Sequence, residues 1–192
     1  MRTPARVISL CARGVAIGLL ALVLGACSRT VTWEEEVPLN TQSTTWVVRT
    51  DTYSRSTEPG NPFKAAWVIA TRSVDVSLHE RRYEFEAATA DIFMVVDRGN
   101  TISVVAWSND CSKRGYAEYR WIRDTWRRQA SVDPSLTGQP RNLMGYFSPV
   151  DDAIPARVSV NYKKVAGFHL PQRGGHETTL SPSRLATDCL EK

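Results

Sequence analysis

Residues 92–107 read IFMVVDRGNTISVVAW. Two apolar, β-branched runs flank Asp97-Arg98-Gly99-Asn100, in which Asp97, Gly99 and Asn100 favour a tight turn. A hairpin from Ile92–Val96 to Ile102–Trp107 is the expectation. Its first run is apolar at every position, which predicts a central strand covered on both faces. Upstream, Arg82 to Ala87 alternates strictly, with Tyr83, Phe85 and Ala87 on one face and Arg82, Glu84 and Glu86 on the other. Val31 to Leu39 also alternates, except that Glu35 falls on the apolar face with Val31, Trp33 and Val37. Thr44 to Tyr53 is β-branched and aromatic and forms a second strand with it, through residues 42–43.

The remaining segments fit the same class. Ser54 to Pro62 (SRSTEPGNP) reads as a loop, and Ala65 to Ala70 as a strand or short helix. Tyr116 to Arg123 and Trp126 to Ala130 flank a turn at Asp124-Thr125. Loops follow at 131–142 and 150–155. Val158, Val160 and Tyr162 alternate as a further strand, and Pro171 to Thr179 is a loop. Ser181-Pro182 resembles an N-cap followed by proline at the first helical position, with a short helix running to Cys189. The expected fold is all-β and mainly antiparallel: a single β-sandwich or partly closed barrel-like domain with a short C-terminal helix.

The N-terminus has a different character. Arg2, Arg6 and Arg13 precede an apolar run of about 13 residues, short of the roughly 20 that span a bilayer. The run ends in Leu24-Gly25-Ala26-Cys27, which resembles the lipobox of bacterial lipoproteins. The resemblance implies a signal peptide over 1–26, cleavage before Cys27, thioether lipidation of its sulfur, a tether over 27–30 and a β-rich envelope domain over 31–192. Ser28 after the cysteine favours the outer membrane, periplasmic face, with the inner membrane as the alternative. Residues 1–26 hold three of the 24 basic residues and none of the 20 acidic ones, so the rest is within one charge of neutral. The pI of about 9.0 is therefore no argument for nucleic acid as a partner.

Of the four cysteines, Cys11 leaves with the signal and Cys27 is lipidated. Cys111 and Cys189 remain, an even pair in an oxidising compartment, and a disulfide between them is expected. On the chain-entropy account, closing about 78 residues stabilises the fold by roughly 4 kcal/mol.

Catalytic signatures are sparse. The sequence lacks HExxH, GxSxG, P-loop and GxGxxG patterns. His79, His169 and His176 have no cysteine at zinc-like spacing, although His169, His176 and Glu177 share one loop region. No metal or cofactor is expected. Glu34-Glu35-Glu36 and Asp151-Asp152 read as solvated acids, those of the first strand guarding an edge. Arg120 to Arg128 (RWIRDTWRR) interleaves arginine with tryptophan. A hairpin with Trp121 inward is one reading, and a surface for anionic headgroups, glycans or an acidic partner is the other. The six tryptophans, Trp33, Trp46, Trp67, Trp107, Trp121 and Trp126, either fill the core or line a groove for a sugar or peptide.

Several stretches together, TWEEEVPLN, WVVRTDTY, RRYEFEA, IFMVVD, ISVVAWSNDC, YRWIRDTWRRQ and RNLM, resemble a group of proteobacterial lipoproteins without an assigned activity. They span Thr32 to Met144. The resemblance implies one domain and lipid attachment, and carries no site residues. The expected function is a membrane-anchored, non-enzymatic binding or interaction module of the cell envelope. Its partner would be an envelope protein, peptidoglycan or a phage- or conjugation-related factor. A small envelope hydrolase with a dispersed active site is the alternative.

Overall fold

The computed structural model describes residues 7–10, 28–39, 43–58, 61–88, 91–109, 111–145, 155–165 and 179–189. Five strands form an antiparallel meander in chain order: β1 (Val7–Leu10), β2 (Ser28–Pro38), β3 (Thr44–Glu58), β4 (Asn61–Leu78) and β5 (Arg81–Ala88). A second sheet holds β6 (Ile92–Asp97), β7 (Ile102–Ser108), β9 (Gly115–Ile122) and β10 (Thr125–Arg128) in the order β10-β9-β7-β6. A small ribbon pairs β8 (Cys111–Lys113) with β12 (Thr187–Cys189). The sheets pack face to face and neither closes, so the domain is a sandwich and not a barrel. Among the described residues, no helix is long and apolar enough to cross a membrane.

Alternation places the core. Val37, Val47, Val74, Val76, Tyr83 and Phe85 of the first sheet meet Ile92, Val95, Ile102 and Val104 of the second. Phe93 and Met94 turn to the opposite side, where Val105, Val132, Leu136 and Leu180 cover them. A register shift between Ile92 and Met94 permits this double burial. In pairing, however, β6 is an edge strand, where the sequence predicted a central one. Its edge is covered by a side chain: Asn142 accepts from Val95 N at 3.0 Å and donates to Val95 O at 2.7 Å. One amide thus replaces a neighbouring strand.

Other expectations are corrected locally. Ser54–Glu58 is not a loop, because β3 continues through it, paired with β4. Ser28–Thr30, expected as tether, begins β2 opposite Ser54–Thr52. Val158 belongs to the two-residue strand β11 (Arg157–Val158), which lies parallel to β2, whereas Val160 and Tyr162 belong to the helix α1 (Val160–Val165). Ser159 decides this: its hydroxyl accepts from Tyr162 N at 3.0 Å and its carbonyl from Lys163 N at 3.0 Å, so it caps the helix. At 181–189 a single 3-10 turn, Pro182–Arg184, gives way to β12. The short helix therefore lies at α1 and not at 181–189.

Candidate functional site

Between the two apolar regions of the first sheet runs a belt of buried charge. Glu35, Arg49, Asp51 and Arg72 project inward from β2, β3 and β4, and all are buried. Asp51 and Arg72 are directly opposed, with Arg72 Nε 3.2 Å from Asp51 Oδ2. Arg49 lies 3.7 Å from Glu35 and 3.8 Å from Asp51, beyond hydrogen-bond reach. Arg72 continues to Asp91 at 3.1 Å, and Asp91 receives both terminal nitrogens of Arg141 and the Tyr116 hydroxyl at 2.8 Å. At the other end, Lys163 Nζ donates to Glu35 at 3.0 Å. Signs alternate along the row, so each buried ion has a counter-ion. Burial alone would raise the Asp91 carboxyl. The hydrogen bonds and charge of Arg141, with Arg72 and Tyr116, hold it far below the usual carboxylate range. Burial also lowers Lys163, against the pull of Glu35.

The glutamate triplet is therefore not a solvated edge. Glu34 receives Arg157 Nε, Glu35 receives Met144 N at 2.6 Å and Lys163, and Glu36 receives Val160 N at 2.9 Å. Three consecutive acids hold Met144, Arg157, Val160 and Lys163 against the first sheet. Met144 and Val158 cover Val31, Trp33 and Tyr53. These charges are absorbed in holding the fold.

A cleft of about 410 Å³ opens elsewhere, between the edge of β5 and the second sheet. Phe85, Glu86, Ala87 and Ala88 form one wall. Ala106, Trp107, Ser108 and Asn109 from the end of β7 face them, and Tyr119, Trp126 and Arg128 close the side. The rings support one another: Phe85 packs tilted on Tyr119 and edge-on on Trp126, both at 5.1 Å, and Trp126 packs edge-on on Trp121 at 5.2 Å. Trp107 Nε1 donates to Asn109 Oδ1 at 3.1 Å, which fixes the indole at the rim. Among the described residues, the Tyr119 hydroxyl makes no hydrogen bond. The alanines at 87, 88 and 106 leave the volume that larger residues would fill. Among the described residues, no histidine or cysteine lines the cleft. Its chemistry is that of stacking and hydrogen bonding.

The RWIRDTWRR stretch is a hairpin with Trp121 opposite Trp126 and a turn at Arg123-Asp124, one residue earlier than predicted. Both indoles pack against the main core, and Arg120 pairs with buried Glu118 at 3.0 Å. Of the tryptophans, Trp33 is core, Trp46 is exposed under the Arg157 guanidinium, and Trp107 and Trp126 line the cleft. His79 sits in the β4–β5 turn, 3.0 Å from Asp97. Cys27, His169, His176, Glu177, Asp151 and Asp152 lie outside the described residues. Cys111 is buried at the start of β8, and the register sets Cys189 opposite it. Sequence reading named the cleft's tryptophans, and Arg128 within its arginine–tryptophan stretch, without Phe85 or Tyr119. Phe85 was legible only as core, and no local signal marks where two sheets diverge. The chain matches no protein-family model, no curated protein and no solved structure.

Proposed function

We propose that the chain is a lipid-anchored protein of the bacterial envelope whose β-sandwich is a non-enzymatic binding module, with the aromatic cleft as its ligand site. The observation that carries this reading is the composition of the cleft: four rings and an arginine around about 410 Å³. The anchor is the acyl chains on Cys27, which the LGAC motif supports, and the membrane is the outer one, periplasmic face. Two or more chains hold a protein stably where one does not. The partner is an envelope protein or peptidoglycan.

A Cys111–Cys189 disulfide belongs to the same reading. Residues opposed on antiparallel strands have Cα atoms roughly 4.5–5.5 Å apart, inside the roughly 4.4–6.8 Å that disulfides span. The β8–β12 register opposes these two, which supports the pairing.

A photo-crosslinking amino acid at Asn109, on the exposed rim, tests the binding site in living cells. A discrete adduct from position 109, absent from position 50 on the outer face of β3, is the expected result. Equal adducts from both positions, or none from the rim, would count against the cleft. Labelled palmitate entering the wild-type chain but not Cys27→Ala tests the anchor, and persistent labelling would refute it.

A further inference from the structure

We propose that the edge of β5, which no other described strand pairs, accepts an extended peptide segment of a partner as an added strand. The segment's main chain would bond Glu86 and Ala88, and one apolar side chain would enter the cleft beside Arg128. This rests on the cleft being the ligand site, as proposed above, and names the kind of ligand.

The phase of the edge comes from one hydrogen bond. In an antiparallel ladder, the N–H and C=O of a residue point to the same side, and sides alternate along the strand. The Trp126 indole donates to Glu84 O at 2.6 Å, from the sheet that faces β5 and not from β4. Glu84 therefore directs its polar backbone outward. No register shift interrupts β5 between Arg81 and Ala88, so Glu86 and Ala88 share that phase. Among the described residues, nothing bonds their outward groups. Two other edges are covered in part: on β6 the Asn142 amide satisfies Val95, and on β2 the strand β11 pairs Glu34 and Glu35. Exposed strand edges left uncovered invite pairing with another chain.

The geometry selects a peptide over a glycan. Glu86 and Ala88 stand about 6.8 Å apart along the strand, the two-residue repeat of any partner strand. Each presents a donor and an acceptor together, which a second backbone matches and a row of sugar hydroxyls does not. An added strand would send alternate side chains toward the second sheet. There Ala87 and Ala106 are small, and Phe85, Tyr119 and Trp126 form an apolar wall. Glu86 itself belongs to the exposed, outward row of β5.

The test uses the mature chain with its disulfide intact. A phage-displayed hexapeptide library with alternating apolar and polar positions is selected against it, and the selected peptides are resynthesised. Three results are expected. Bound peptide protects the Glu86 and Ala88 amides from hydrogen exchange. N-methylation of every second peptide residue weakens binding at least tenfold, while methylation of the intervening residues does not. Ala88→Pro, which removes an outward N–H at a position where an edge tolerates proline, weakens binding at least tenfold without moving the thermal midpoint. Failure to select any peptide, or peptides that bind without that two-residue period, would overturn strand addition. A parallel titration with soluble peptidoglycan fragments, read by tryptophan fluorescence, separates the two levels. Fragment binding that ignores Ala88→Pro keeps the cleft and removes the peptide, whereas no binding of either kind removes both.

Discussion

His79 and Glu80, with φ of 51° and 61°, and Arg123 and Asp124, with φ of 50° and 59°, turn two hairpins without a glycine. Both pairs adopt the left-handed conformation that two-residue hairpin loops require, and that conformation strains residues with a Cβ. Glu80 is exposed at the tip. Glu80→Gly should therefore stabilise the protein by about 1 kcal/mol, seen as a higher urea midpoint at unchanged slope. Neither turn carries the Asn-Gly or Asp-Gly signature, so the sequence showed the strands more clearly than the bends between them. At Asp97-Arg98-Gly99-Asn100 the turn was legible, because Gly99 supplies the positive φ and Asp97 Oδ1 accepts from Gly99 N at 2.8 Å. Glu35 is the opposite case. Its place on an apolar face was visible as a broken alternation, but its partner Lys163 lies 128 residues away and nothing local announces it.

The segment from Met144 to Lys163 shows what a single pair can hold. Lys163 Nζ satisfies both Glu35 Oε1 and Asn142 O, at 3.0 and 2.8 Å. Removing the ammonium leaves a buried carboxylate without its counter-charge. Lys163→Ala should cost about 3–5 kcal/mol. Limited proteolysis would then cut first between residues 145 and 165, ahead of the sandwich. Cleavage that began in the β6–β7 hairpin instead would show that the segment is not held through this pair. The alternation of Val158, Val160 and Tyr162 suits a strand, and only the Ser159 cap turns it into a helix. Periodicity over five residues does not distinguish them. The continuation of β3 through Ser54–Glu58 was hidden for another reason: turn-forming residues were paired across a register shift between Thr57 and Glu58.

At the level of the whole domain, the row of alternating charges sets the response to acid. Asp91 titrates well below its unfolded value because Arg141, Arg72 and Tyr116 stabilise the ionised form against its burial. The sign follows: the unfolded chain binds the proton more tightly, so the stability from Asp91 is complete above roughly pH 4–5 and is lost as pH falls through the folded value. Asp91→Asn should lower stability at neutral pH and flatten its dependence between pH 2 and 5, measured by urea unfolding at each pH. A variant as steep as the wild type would assign the acid limb to other carboxylates. The all-β class, its antiparallel pairing and most core residues were readable from strand patterns, whereas the choice of sandwich over barrel was not. The cleft was not, because it depends on how far the edge of one sheet stands from the other.

The registers carry a consequence for height. Thr30, Thr52, Thr71 and Ala88 are successive partners across four strands and stand on one rung of the first sheet. Trp33, Arg49, Val74 and Phe85 form another rung three residues higher. At about 3.3 Å per residue, these rungs lie roughly 7 and 17 Å along the strand from Ser28, where β2 begins. If the preceding Cys27 is sunk in headgroups, the groove is close to the floor. Whatever enters it must hug the bilayer, which favours neighbours that are themselves moored there over molecules diffusing freely above.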